Sequence, residues 1–194
     1  MNKYKIYVYA ISKNEEKFVD RWYESVKDAD GIYVLDTGST DNTVEKLKSL
    51  GVFVVQKEIK PWRFDVARNE SLKLVPKDAD ICVCIDIDEV LSPGWKEKLQ
   101  MLWENDTTRL RYNYNWSHDE NKKPLVNFYI EKIHSRNGYK WTHPVHEVLK
   151  YDGDKENFVT TNEITVDHFP DDNKSRSSYL PLLELSVEED PTDD

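Results

Sequence analysis

Positive charge, cysteine and long apolar runs are all scarce in this sequence, and each shortage excludes something. Its 27 Lys and Arg are outnumbered by 37 Asp and Glu, which leaves a formal net charge of −10. Nucleic-acid binding draws its affinity from cations that neutralise phosphates, so no nucleic-acid partner is expected. The two cysteines are Cys82 and Cys84. Two apart in a strand, they share a face but can hardly close an unstrained disulfide, and they lack partners for a zinc site. They read as small core residues in a reducing compartment. No apolar run approaches the roughly twenty residues that cross a bilayer, so no transmembrane segment is expected. The start, Met1 to Lys5, carries no signal-peptide pattern, and a cytoplasmic location follows as the expectation.

What is present argues for a folded domain. A chain of 194 residues fits one layered domain with a single core, and its six Trp and eleven Tyr are far from a disordered composition. The first half alternates strand and helix patterns. Residues 5–11 (KIYVYAI) read as a buried strand and 15–26 as an amphipathic helix with Phe18, Trp22 and Val26 on one face. Residues 31–36 form a second strand and 38–41 a turn ending in helix-capping residues. Residues 43–50 form a helix and 52–55 a third strand. A helix over 65–75 and the apolar strand 81–85 (ICVCI) complete a pattern that belongs to a parallel sheet. Beyond a helix at 94–103 the pattern turns strand-like at 109–114, 125–133 and 164–166, with polar turns such as Arg136-Asn137-Gly138 between, so this part is expected to be mixed or antiparallel. A last helix is expected over 177–189, before an acidic end.

In open α/β sheets ligands gather beyond the carboxyl ends of the strands. Three strand ends here are polar: Ser12-Lys13-Asn14, Asp36-Thr37-Gly38-Ser39 and Asp86-Ile87-Asp88. Asp86 and Asp88 alternate around Ile87, so both carboxylates can reach a ligand just past the strand. Hard oxygen ligands of this kind suit Mg²⁺ or Mn²⁺ bridging phosphates. The plainer reading is a solvated acidic turn capping the next helix, but the neighbouring polar ends argue for a cleft.

At this point the sequence resembles the family 2 glycosyltransferases of the GT-A fold. The resemblance rests on Asn14-Glu15-Glu16 after the first strand, Asp36-Thr37-Gly38-Ser39-Thr40-Asp41-Asn42-Thr43 after the second, Ala67-Arg68-Asn69 in a helix, and Asp86-Ile87-Asp88-Glu89. It implies an α/β architecture with a Rossmann-like, mostly parallel sheet flanked by helices and a smaller mixed or antiparallel acceptor-side part. A nucleotide-sugar half over 1–104 and an acceptor half over 105–176 would then precede a helix and acidic tail over 177–194, similar to a linker into a further domain. By resemblance Asp36 meets a pyrimidine base, Arg68 lies near the base, Asp86 holds the ribose and Asp88 ligates the metal, with Ser12 and Asn14 lining the same nucleotide-sugar site. The chemistry agrees, because a carboxylate accepts from the ring N–H of uracil or thymine and a guanidinium donates to a ring carbonyl. A plain salt bridge between Asp36 and Arg68 is the bland alternative. Thr37 stands where many relatives have a second aspartate.

The second half carries Trp141-Thr142-His143-Pro144-Val145-His146-Glu147 and Val166-Asp167-His168-Phe169, similar to the acceptor-side motifs of a bacterial branch of the family. The resemblance makes Glu147 the general base, puts His146 in the nucleotide-sugar site, and lets His168 complete the metal site with Asp88. Their bland readings are buried hydrogen-bonded histidines and an exposed strand carboxylate. The implied reaction is inverting transfer of a sugar from a UDP- or dTDP-sugar to a hydroxyl on a glycan or other acceptor. A divalent cation, Mn²⁺ or Mg²⁺, meets the charge on the leaving diphosphate, and a carboxylate takes the acceptor proton. Trp62, Tyr112, Tyr114, Trp116 and Trp141 can stack on sugar rings, though packing explains each as well. The rivals are a haloacid-dehalogenase-like phosphohydrolase, whose D-x-D-x-[TV] loop fits Asp86 to Val90, and a nucleotide-sugar-binding module without turnover. The first leaves Asp36 and Arg68 without a role; Glu147 separates the second from an enzyme.

Overall fold

The structure is a computed structural model and describes residues 3–171 and 179–190. It begins with β1 (Ile6–Ser12), α1 (Val19–Val26), β2 (Gly31–Asp36), α2 (Thr43–Ser49), β3 (Phe53–Gln56), α3 (Phe64–Leu74) and β4 (Ile81–Cys84). A short β5 (Glu89–Leu91) and α4 (Trp95–Leu102) lead to β6 (Arg109–His118), β7 (Pro124–Ser135), β8 (Tyr139–Thr142), β9 (Val148–Tyr151), β10 (Phe158–His168) and α5 (Tyr179–Glu189). Eight strands form one sheet in the order β3-β2-β1-β4-β7-β6-β10-β5, and β8 and β9 form a separate antiparallel pair. The first four strands run parallel, β4 meets β7 antiparallel, and β10 runs parallel to β6. The expected α/β architecture with a mostly parallel first half is thus present, and the mixed second half joins it through the β4–β7 ladder.

Burial on both faces explains why β1 and β4 are apolar throughout, as strands covered by helices must be. Ile6, Val8 and Ala10 pack with Trp22 of α1 and Trp95 and Leu99 of α4, while Tyr9 faces the other way with Cys82, Cys84, Leu72 of α3 and Trp141. Cys82 and Cys84 are free and buried, and burial pushes their thiols up to about 12 and about 11. They behave as small apolar side chains.

Several elements depart from the sequence reading. Helix α1 starts at Val19, not at residue 15, because the amide of Glu15 donates to Thr43 Oγ1 at 2.8 Å and that of Glu16 to Asp41 at 3.2 Å. Those contacts tie the approach to α1 onto the β2–α2 loop before the helix can begin. The acidic stretch after β4 returns as β5, which pairs antiparallel with β10 and sets His168 opposite Glu89. β10 itself runs for eleven residues, where only 164–166 carried a clear apolar signal; a register shift between Thr160 and Thr165 breaks its alternation. The β8–β9 hairpin went unread as well. Gly138, just before it, has φ +86°, and a side-chain carbon there would lie 2.5 Å from the ring of Tyr151. Glycine supplies both the left-handed backbone and the room. The expected boundary at 176 and 177 and the acidic end at 191–194 lie outside the described residues. No described helix is long and apolar enough to cross a membrane.

Candidate active site

Register alone assembles the strand ends. Ser12 pairs with Asp36 across β1 and β2, and the side chains follow: Ser12 Oγ donates to Asp36 Oδ2 at 3.0 Å. The turn after β2 folds back on the same carboxylate. Gly38 N and Ser39 N donate to Oδ1 at 3.1 and 3.0 Å, and the Ser39 hydroxyl donates to Oδ2. Asp36 is fully buried, and four donors satisfy it. Asn14, in left-handed backbone at φ 55°, locks the two loops together. Its amide donates to Ser39 Oγ at 2.8 Å, and its Oδ1 accepts from Thr40 N at 2.7 Å.

Past β4 the chain enters a buried charge network. Arg68, on α3, forks onto Asp86 with Nη1–Oδ1 at 2.7 Å and Nη2–Oδ2 at 2.9 Å. Its Nε donates to Glu147, and its guanidinium lies 5.0 Å from the ring of Trp141. From β7, Lys132 Nζ donates to Asp86 Oδ2 at 3.1 Å and to both oxygens of Glu89 at 2.6 and 2.8 Å. Burial alone would raise the pKa of Asp86, but Arg68 and Lys132 hold it well below the usual carboxylate range. Glu89 also accepts from Tyr114 Oη and from the amide of Asp86, both at 2.8 Å. Burial pushes its pKa upward, yet every partner is a donor, which suits the carboxylate form. Glu89 therefore closes the Asp86–Glu89 turn on itself and pins it to β6 and β7.

Asp88 points to a different partner. Because β10 brings His168 opposite Glu89, His168 Nε2 lies 3.4 Å from Asp88 Oδ2, and the amide of Phe169 donates to the carbonyl of Asp88 at 2.9 Å. His168 Nδ1 lies 3.2 Å from the carbonyl of Trp116, so that nitrogen carries the hydrogen and Nε2 is the one turned to Asp88. Burial opposes charging of this imidazole, but Asp88 raises its pKa above the ordinary histidine value.

The structure thus joins Arg68, Asp86 and Glu147 in one cluster, Asp88 and His168 in a second, and Ser12, Asp36 and Asn14 around the first two strand ends. Among the described residues no ion pair links Arg68 to Asp36. His146 is exposed in left-handed backbone at φ 54°, its ring 6.4 Å from that of Tyr179 on α5. Lys132, Glu89 and Tyr114 form a unit that the sequence pattern does not reveal. The signal available was Lys132 next to Glu131 between Ile130 and Ile133, a charged pair at the end of β7 that turns inward.

The sequence profile of Glycosyl transferase family 2 matches residues 7–151, well over half of the chain. The chain belongs to this family. Membership sets aside the phosphohydrolase reading of the Asp86 turn. An uncharacterized glycosyltransferase of Rickettsia bellii (strain RML369-C) is 35% identical to this family 2 chain over 111 residues, covering 56% of the chain and 36% of that protein. Another, from Rickettsia conorii (strain ATCC VR-613 / Malish 7), is 35% identical over 100 residues, covering 51% and 34%. The match spans about a third of the length of these curated relatives. Among solved structures, S. aureus TarS aligns over 95% of this chain and 39% of its own, with a TM-score of 0.61 at 15% identity, a likeness of fold. The glucosyl-3-phosphoglycerate synthase from Mycobacterium tuberculosis, solved with Mn²⁺ and uridine-diphosphate-glucose, aligns over 58% of this chain and 44% of its own, at 25% identity and a TM-score of 0.48. The fold is GT-A.

Proposed function

We propose that this domain transfers a sugar, with inversion at the anomeric carbon, from a UDP- or dTDP-sugar to a hydroxyl acceptor, with the help of a divalent cation. The observation that carries the reading is the Asp88–His168 pair, drawn together from residues eighty apart and set beside the Asp86 turn. Two donors facing each other at 3.4 Å, one oxygen and one nitrogen, suit Mn²⁺ or Mg²⁺. Among the described residues no group of three or more His, Cys, Asp or Glu is placed to hold a metal. That fits an ion that arrives with its nucleotide, since Mg²⁺-like sites use one or two carboxylates plus substrate phosphates rather than an all-protein cage. When bound, such a cation meets the negative charge that grows on the leaving diphosphate.

The chain's own residues supply the rest. Asp36 and the loops it organises shape the base end of the donor site, where its carboxylate and Arg68 were expected to meet a pyrimidine. Asp86, held by Arg68 and Lys132, faces the ribose with its orientation fixed. Glu147 takes the proton from the acceptor hydroxyl; Arg68 keeps its carboxylate oriented before the acceptor arrives. His146 lies at the rim of this half.

A thermal-shift panel tests the donor class, because a ligand that binds only the native state raises its stability in proportion to affinity. With Mn²⁺ present, UDP or dTDP and their sugars should raise the Tm, and GDP and ADP should do so far less. An equal response to all four nucleotides would remove the pyrimidine assignment.

A further inference from the structure

Five aromatic side chains are placed by sequence where a sugar ring could stack, and the structure separates them. Tyr112, Tyr114 and Trp141 are 0%, 3% and 3% exposed, and Trp62 is half-buried, edge-on to Phe64 at 5.1 Å. Trp116 differs, being 42% exposed with its ring stacked on His168 at 4.7 Å and 28°. Phe128, opposite Tyr114 in the β6–β7 ladder, shares that face and is 45% exposed. The rings of Trp116 and Phe128 lie 6.5 Å apart at 36°, and both rest on Tyr114, at 6.3 and 5.5 Å. Tyr114 is itself anchored through its hydroxyl to Glu89.

Single exposed aromatics are ordinary on protein surfaces. This pair is set apart by its position, because the stack Phe128–Trp116–His168 ends at Asp88. A ligand lying on it must be flat and apolar across about one ring, yet polar at its edge where it meets the Asp88–His168 pair. A pyranose, with C–H groups on its face and hydroxyls around its rim, has that shape. A lipid chain has no polar rim to offer.

We propose that Trp116 and Phe128 form the platform on which a sugar ring of the acceptor lies, presenting its hydroxyl toward the donor held at Asp88 and His168. This rests on the transferase reading and names its acceptor class as a carbohydrate. In the step served, the acceptor oxygen forms a bond to the anomeric carbon. The bond from that carbon to the diphosphate oxygen breaks, its electron pair leaves with the nucleoside diphosphate, and the hydroxyl proton passes to the carboxylate of Glu147.

Saturation-transfer NMR on the whole chain, with and without UDP and Mn²⁺, tests the platform. The probes are methyl β-glucoside, methyl β-galactoside and methyl N-acetyl-β-glucosaminide, with glycerol and hexanol as a hydroxyl without a ring and an apolar chain. At least one glycoside should bind through its ring C–H protons, and its affinity should fall about five- to tenfold in Trp116→Ala and in Phe128→Ala, the scale of one aromatic contact. Trp116→Phe should keep most of it. Phe128→Ala, which leaves the ring on His168 in place, should leave UDP affinity unchanged. The proposal is overturned if no glycoside binds the wild type in either condition, if binding survives both alanine variants, or if hexanol or glycerol shows the same dependence on Trp116. It is equally overturned if the wild type is a dimer that Trp116→Ala dissolves, since the face would then be an interface between copies. Failure of UDP to bind counts separately against the donor reading, and the arm without nucleotide still decides the platform.

Discussion

At the scale of single residues, chemistry is set by which carboxylates are committed and to what. Arg68 holds two, Asp86 and Glu147, and is almost wholly buried. Removing one partner of a buried ion pair costs roughly 3–5 kcal/mol, because the charge left behind is uncompensated. Arg68→Ala is therefore expected to lose stability on that scale in urea unfolding, and a loss under about 1 kcal/mol would show that Lys132 alone suffices for Asp86. Glu147→Gln keeps the shape and a contact to Arg68 but loses basicity. Its UDP affinity should persist while sugar transfer falls by about a hundred- to ten-thousandfold, the range for a general base, and near wild-type transfer would reassign the proton to Asp167.

Another residue sets a pH dependence. His134 is fully buried; its Nδ1 lies 2.7 Å from the carbonyl of Ser135, and its Nε2 is 2.8 Å from Tyr9 Oη, which accepts from Trp141 Nε1 at 2.9 Å. The hydrogens are thereby assigned: Nδ1 donates and Nε2 accepts from the phenol. Burial pulls the pKa of His134 down to about 3, so below about 6.5 the unfolded chain binds a proton that the native state refuses. Its contribution is present above pH 6.5 and is lost as pH falls toward 3. Between pH 7 and 5 the loss is about 2 kcal/mol. Urea unfolding of His134→Gln at both pH values should show a pH-dependent loss smaller by about that amount, whatever its absolute stability. Identical pH dependence would mean His134 protonates freely in the fold.

At the scale of elements, the turn between β4 and β5 is the unit that works. Glu89 gathers Lys132, Tyr114 and the amide of Asp86, and β5 hands His168 to Asp88. Glu89→Gln and Lys132→Met should therefore be non-additive, coupled by about 0.5–3 kcal/mol in a double-mutant cycle. Additive losses would mean the turn is held by its backbone alone. This is also where the limit of the sequence lies. The apolar strands and polar strand ends were legible because period and position carry them locally: Ser12, Asp36, Asp86 and Asp88 stand where the pattern put them. Lys132 was not, because a charged residue in a strand says nothing of its partners until the β4–β7 ladder is known. β5 is three residues long, too short for a pattern, and β10 hid behind a register shift among polar residues. The contacts of Arg68 to Asp86 and Glu147 were not legible either, because pairing across elements is encoded by no spacing.

Across the whole molecule, one eight-stranded sheet carries both Asp36, at the end of β2, and His168, at the end of β10. A net charge of −10 and a site lined by carboxylates would repel a nucleoside diphosphate. The protein cations nearest Asp86, Arg68 and Lys132, are already paired with carboxylates. In the proposed reading a divalent cation would reconcile that charge with a diphosphate ligand, and Asp88 and His168 would hold it together with the nucleotide's phosphates. Calorimetric titration of UDP into the wild type and Asp88→Ala, in Mn²⁺ and in EDTA, puts this to the test. Binding is expected in the wild type with Mn²⁺, and in neither protein with EDTA, with Asp88→Ala weak in Mn²⁺. Equal UDP affinity in EDTA and Mn²⁺ for the wild type, or undiminished Mn²⁺-dependent binding by Asp88→Ala, would contradict the metal-bridged donor site.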